Sequence, residues 1–465
     1  MTNSPRILGC LAAAALLAGC SFIPTYERPA APIPAAYASA PAYEAAAPAA
    51  WQDYFAEPRL RQLIETALAN NRDLRIAALN IEQARAAFQI RRADLYPGVG
   101  LAANASRAPA AGSGDLTNSF SAGLAISAWE IDFFGRIASL KEQALAQYLA
   151  TEEGRNAAQV SLIASVANGW LNLLADEQLL ALSRQTLATR EESLRLTQLR
   201  LESGVASELD YRQAQSLTQA ARATLAQQQR QRALDENALT LLLGQALPDD
   251  IRASLPGSAL GNAPAMQDLP AGLPSELLIR RPDIRQAEQQ LIGSNANIGA
   301  ARAAFFPRIS LTAQAGTASG ELSGLFKNGS WGFTIAPSLL LPIFDAGRNQ
   351  ANLKSAQAGR AIALAQYEKA IQTAFREVSD ALAGQATLQE QLQAQRLQAQ
   401  AETARLQLAN LRYANGVTSY LELLDAQRSQ FAAEQAVVQV RLALLQNQVA
   451  LYRALGGGAP AAARP

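Results

Sequence analysis

Few side chains in this sequence could do bond-making chemistry, and the scarcity is informative. The 465 residues include no histidine, which removes the commonest general base and the commonest transition-metal ligand. There are two cysteines, Cys10 and Cys20, too few for a thiolate metal cluster. Paired carboxylates placed for glycoside chemistry and Ser/Lys nucleophile motifs are both missing. Ser207-Glu-Leu-Asp210 and Ser419-Tyr-Leu-Glu422 each fit S-x-x-[DE], the capping box that opens a helix. These residues imply no catalytic site, no cofactor and no bound metal.

Cys20 has a different context. Arg6 forms a short basic region, and Ile7 to Ala18 an apolar run of about twelve residues, too short to span a bilayer and right for a secretory leader. The run ends in Leu17-Ala18-Gly19-Cys20, which resembles the bacterial lipoprotein box. The resemblance implies cleavage before Cys20, acylation of its thiol and new amine, and, with Ser21 following, delivery to the outer membrane. Two or more acyl chains anchor firmly where one binds marginally. With residues 1–19 gone, 40 basic and 39 acidic residues become 39 of each. A neutral chain has no global field to draw it to nucleic acid.

The elements beyond the leader are best read from self-comparison. Asp73-Leu74-Arg75 recurs as Asp283-Ile284-Arg285 and Pro97 as Pro307, at a shift of 210. Gly135-Arg136 recurs as Gly347-Arg348, Gly204-Val205 as Gly416-Val417, Ala214-Gln215 as Ala426-Gln427 and Leu243-Gly244 as Leu455-Gly456, at a shift of 212. One long unit is duplicated. In each copy a helix (about 59–93, then about 276–304) runs into a proline, which disfavours helix in the residue before it. Alternating stretches follow: Val99, Leu101, Ala103, Ala105, then Phe120, Ala122, Leu124, Ile126, Ala128; in the second copy Ile309, Leu311, Ala313, Ala315, then Trp331, Phe333, Ile335. Period two over about ten residues is the pattern of a membrane β-strand. Pro337 is unwelcome in a paired strand and marks a bulge or the strand's end.

Two long helical runs follow the strand pairs, about 137–203 and 349–415, each roughly 100 Å at 1.5 Å per residue. Leu364, Tyr367, Ile371, Ala374, Val378 and Ala381 step by three and four and resume at Leu388 and Leu392, the seam of helices packed side by side. Gly204 or Gly416 then turns the chain into a returning helix. These readings divide the chain into a leader (1–19), a lipid-anchored Ala/Pro-rich tether (20–55), repeat 1 (56–250, strands about 98–108 and 119–131), a linker (251–272), repeat 2 (273–456, strands about 308–319 and 330–341) and a tail (457–465). No mature segment has eighteen consecutive apolar residues, so a membrane crossing would have to be a β-barrel. Four strands are too few to close one, and several chains must share it.

Trp129-Glu-Ile-Asp-Phe-Phe-Gly-Arg136, Pro342-Ile-Phe-Asp-Ala-Gly-Arg348 and the two Gly-Val turns, in that order over nearly the whole mature chain, resemble the outer-membrane efflux proteins, the TolC-like family, in its lipoprotein branch. The resemblance implies an α+β membrane protein built from an internally duplicated helix–strand–strand–helix–helix unit. Three chains would form a twelve-stranded β-barrel continuous with a twelve-helix periplasmic α-barrel. It implies a gated, passive conduit exporting small molecules such as drugs, toxic compounds or metal ions. Its expected partners are two further copies, outer-membrane lipid, a periplasmic adaptor (membrane fusion) protein and an inner-membrane RND-type pump.

Family channels close near the turns through acidic and tyrosine contacts. The matching positions are Asp210, Tyr413, Glu422 and Asp425; three copies would set rings of carboxylates that repel one another and attract cations. The family more often has Asp where this chain has Glu422. Capping and gating are both open to Asp210 and Glu422. Gly204, Val205, Ser207, Gly416, Val417 and Ser419 are the expected adaptor contacts, and the two glycines also fit a plain requirement for positive φ. Two other functions fit parts of the pattern: a channel for type I protein secretion, and a structural coiled-coil lipoprotein of the periplasm.

Overall fold

The computed structural model describes residues 21–34, 37, 50–109, 114–260, 266 and 281–458. The leader, Cys20 and parts of the tether, of the linker, of the start of repeat 2 and of the tail lie outside the described residues. The described elements are helices α1 (Trp51–Tyr54), α2 (Pro58–Asn70) and α3 (Arg72–Ala93), strands β1 (Val99–Pro109) and β2 (Leu116–Ile131), and helices α4 (Arg136–Glu202), α5 (Glu208–Leu243) and α6 (Asp249–Ser254). Then come α7 (Pro282–Ala303), β3 (Arg308–Ser319), β4 (Trp331–Leu340), α8 (Arg348–Ala414) and α9 (Tyr420–Ala454). The first helical run is broken at Asn71. Its buried side chain accepts from the Leu74 amide (2.9 Å) and donates to the Leu242 carbonyl (2.9 Å). An asparagine spent this way caps one helix and starts the next.

The chain divides into two compact units. The first joins residues up to Ala31 with Leu79–Glu153 and Arg285–Lys369. It holds one antiparallel sheet in the order β1-β2-β3-β4. Each repeat's aspartate at the strand-to-helix junction caps the long helix: Asp132 accepts from the Ala138 amide (2.7 Å), Asp345 from the Gly347 and Asn349 amides (2.9 Å each). An extended strap begins at Ser21. Phe22 stacks on Phe306 (4.6 Å between centroids) and Phe306 on Phe134 (5.0 Å). Arg28 forks onto the buried Glu288 carboxylate (2.7 and 2.9 Å) and Tyr26 donates to it (3.1 Å). A Cβ on Gly299 would lie 2.6 Å from Ile23 Cγ1, so only glycine lets the strap seat on α7.

The second unit joins Pro32–Ala78, Gly154–Ile284 and Ala370 onward. Its core packs Tyr54, Phe55, Leu63, Ile64, Trp170, Leu173, Leu239 and Tyr452. Trp170 donates to Glu57 (2.9 Å), whose other oxygen takes Arg59 (3.0 Å), so the buried acid is satisfied. Along α8, Tyr367 in the first unit and Ile371, Ala374, Val378, Ala381 and Leu392 in the second are buried, with Leu364 and Leu388 partly so: the seam of threes and fours is the packed face of α8. By length and composition α4 alone among the described helices could cross a membrane, yet 56% of its most apolar window is buried inside the protein. Its hydropathy serves this core.

A pH effect follows from Asp176, buried on α4. Burial, then the hydrogen bond its protonated form donates to Asp235 on α5 and repulsion by that carboxylate, push its carboxyl up to about 8. The folded chain therefore holds a proton that the unfolded chain, at its ordinary 3.8, releases. Stability falls as pH rises from the ordinary value to the folded one and is flat above it. Asp176→Asn, neutral at every pH, should unfold like the unsubstituted protein near pH 4. Near pH 8 it should be more stable by on the order of 1–3 kcal/mol per chain. Thermal unfolding at the two pH values checks this, and an advantage independent of pH would refute it.

Candidate conduit wall and gate

In the sheet, register assigns every side chain to a face. Val99 pairs with Ile126, Ile126 with Ala313 and Ala313 with Ile335; the next row is Leu101, Leu124, Ala315, Phe333, and the next Ala103, Ala122, Thr317, Trp331. This face is apolar and uncovered: Leu101 is 83% exposed and Phe333 68%. Contiguous exposure on that scale marks contact with lipid or another chain. The opposite rows carry Asn104 with Ser121, Ser106 with Ser119, Gln314 with Thr334, Ser310 with Ser338. That face is polar and nearly without charge.

The alternation in β2 ends one step earlier than the sequence suggests. Register shifts between Ile126 and Trp129, and Ala128, expected to continue the apolar series, sits in the bulge at φ 49°. The extra residue reverses the phase. Trp129 and Ile131 thereby join the apolar face opposite Leu311 and Ile309, and Glu130 joins the polar face opposite Ser310. Pro337 marks neither a bulge nor a strand end; it lies inside β4, opposite Leu311. The Ala318 amide donates to the Ser330 carbonyl (2.8 Å), and counting in twos from there puts Pro337 at a non-hydrogen-bonded pair. Its missing N–H faces away from β3, so the ladder within this sheet loses no hydrogen bond.

The helix turns lie in the second unit. Gly204 (φ 75°) and Gly416 (φ 70°) have open space where a Cβ would go, so conformation, not crowding, requires glycine. Val205 N–H reaches back to the Arg200 carbonyl (2.8 Å) and Val417 N–H to that of Arg412 (2.9 Å), closing each helix. Val205 is 78% exposed and Val417 65%. The returning helices start differently. Ser207 and Asp210 form a complete capping box. Ser419 accepts from the Glu422 amide (3.4 Å), but the Glu422 carboxylate turns away, to Arg412 (2.9 Å) and to the Thr418 hydroxyl.

Asp425 takes Arg405 at 2.5 Å, with Arg428 at 3.6 Å. Tyr413 lies beneath the Arg200 guanidinium (5.0 Å) and beside Tyr420 (5.4 Å), whose hydroxyl meets Ser193 Oγ (2.9 Å). Tyr413, Glu422 and Asp425 thus cluster near the second turn, while Asp210 is engaged at its own helix start. Each acid of the second turn is matched by an arginine of α8. Sequence reading missed Arg405 and Arg412, although Arg412 and Glu422 stand five residues either side of Val417. In an antiparallel helix pair, equidistant residues face each other.

Comparison with known proteins agrees with this architecture. A model of the outer membrane efflux protein family matches residues 63–245 and again 273–457, one match per repeat. The chain is 47% identical to the probable efflux pump outer membrane protein TtgC of Pseudomonas putida over 471 residues, covering 98% of this chain and 96% of that one. Among solved structures it resembles a membrane protein from Pseudomonas aeruginosa, with TM-score 0.86, 45% identity, and 94% and 97% of the two chains covered. It also resembles the open state of the Neisseria gonorrhoeae MtrE outer membrane channel, with TM-score 0.84, 40% identity, and 94% and 98% covered.

Proposed function

This chain belongs to the outer membrane efflux protein family, and we propose that it forms the outer-membrane channel of a tripartite efflux system, a passive gated conduit for small molecules rather than an enzyme. The observation that carries the reading is the sheet. It has four strands, two free edges, one apolar uncovered face and one polar face. Eight strands close a barrel only wide enough for its own side chains, so a conduit needs at least three copies, twelve strands in all. The homotrimer then sets the apolar face to lipid and the polar face to the lumen.

The remaining roles follow from position. Acylated Cys20 anchors the chain; Phe22, two residues on, stacks on Phe306 next to the start of β3. Two residues reach roughly 7 Å, so the acyl chains enter the membrane beside the strand ends. Asp210 is a helix cap. Tyr413, Glu422 and Asp425 hold the periplasmic gate together with Arg405 and Arg412. Gly204, Val205, Ser207, Gly416, Val417 and Ser419 present the turn surface to a periplasmic adaptor, through which an RND-type inner-membrane pump supplies the energy. Nothing in the geometry favours protein secretion or a structural rod.

In a bacterium lacking its own outer-membrane channel, the chain with a cognate adaptor and pump should restore drug tolerance and run as a heat-labile trimer. A monomer that leaves the cells drug-sensitive would refute the proposal.

A further inference from the structure

The four strands carry three charged residues, Arg107, Glu130 and Arg308. Arg107 pairs with Asn118 at the loop end, in register with the apolar rows. Glu130 and Arg308 both fall on the polar face, opposite Ser310 and Leu340. Every other described strand residue on that face is uncharged. The bulge at Ala128 is what turns Glu130 to this side, so the two charges share a face through a deliberate break in the alternation.

Glu130 is outnumbered. Arg136 forks onto both its oxygens (2.8 and 2.7 Å), and Arg308 takes one of them a second time (2.9 Å). Asp132, which accepts from the Ala138 amide, and Asp94, paired with Arg91, act electrostatically on Arg136 and make no hydrogen bond to Arg308. The side chains of Glu130 and Arg136 are 17% and 24% exposed, but that of Arg308 is 52% exposed. Of the two guanidinium groups that share this carboxylate, Arg308 is the one left open to solvent on the polar face.

We propose that Arg308 is the charge-selecting residue of the β-section, forming in the assembled channel a collar of guanidinium groups that favours anionic over cationic solutes. The inference rests on the conduit reading above. Low-dielectric walls focus the field of a charged ring, rings of Arg or Lys select for anions, and the other charged strand residue on that face, Glu130, is held by the Arg136 fork. The Arg136–Glu130 fork survives loss of Arg308, so the junction keeps its brace.

The test is the reversal potential of purified full-length protein in planar bilayers under a KCl gradient, in chains also carrying Glu422→Ala and Asp425→Ala to hold the gate open. Arg308→Ser should lower the anion-to-cation permeability ratio about threefold at ~0.1 M salt, where the Debye length is about 10 Å, and hardly at ~1 M, where it is about 3 Å. Arg308→Glu should lower it further, and Arg308→Lys should retain it. An unchanged ratio in the Ser and Glu variants, at unchanged conductance, overturns the collar. So does a change that persists at high salt. Absence of any conductance in the gate-open parent overturns the conduit reading instead, and the collar with it.

Discussion

Arginine at Ile335 should abolish assembly in the outer membrane, while arginine at its neighbour Thr334 should be tolerated. The two residues lie at the same depth of β4 and face opposite ways: Ile335 pairs with Ala313 in an apolar row, Thr334 with Gln314 in a polar one. An arginine facing lipid near the bilayer midplane costs about 2–4 kcal/mol. A closed trimer bears that cost three times, about 6–12 kcal/mol, comparable to the whole stability of an ordinary domain. At Thr334 the guanidinium would stand in the aqueous lumen and cost little. Heat-labile trimers extracted from outer membranes, compared at equal expression, give the readout. Equal loss from both variants, or loss from Thr334→Arg alone, would mean that the faces are assigned wrongly.

Removing the acids of the second turn should open the closed channel. Glu422 and Asp425 each bind an arginine of the same chain, at 2.9 and 2.5 Å, and their side chains are 41% and 46% exposed. A single exposed pair contributes about 0.2–1 kcal/mol. If opening breaks all six such pairs of a trimer, at about 0.5 kcal/mol each they amount to about 3 kcal/mol, or roughly 100-fold in the closed-to-open ratio. Glu422→Ala with Asp425→Ala should therefore raise single-channel conductance and admit antibiotics too large for the closed channel. Asp210→Ala is the contrast. It removes a capping box whose loss costs about 1 kcal/mol and should lower stability without changing conductance. A conductance rise from Asp210→Ala equal to that of the double variant would return Asp210 to the gate.

The acid rings expected from sequence thus acquire a different physics. Unpaired carboxylates would repel one another and bind cations; carboxylates held by Arg405 and Arg412 act as braces between α8 and α9. The carboxylates were legible because they flank a glycine turn. Their partners were harder to see, since one lies twelve residues before Val417 and the other five, on a helix rich in arginine.

The duplicated unit was plain in the sequence because landmarks such as Pro97 and Pro307, or Gly204 and Gly416, recur at nearly constant shifts. Strand phase was legible up to Ile126 and failed at the bulge, where Ser127-Ala128 has no glycine to signal a positive φ. The break at Asn71 hid inside an unbroken helical pattern, for it depends on a contact with Leu242 far along the chain. The strap on α7 was out of reach for the same reason. Arg28 and Glu288 are 260 residues apart, and nothing local to either announces the other. Pro337 looked like a defect because one strand read alone does not say which of its residues donate to the ladder.

A gated aqueous path through a membrane, enclosed by copies of this chain, must carry ions. Ion conductance of the purified, lipidated protein in a planar bilayer tests it most directly. Small, discrete conductance steps are expected for the unsubstituted chain, and much larger ones for the Glu422→Ala, Asp425→Ala variant at the same trimer content. Trimers that insert yet conduct in neither form would contradict it.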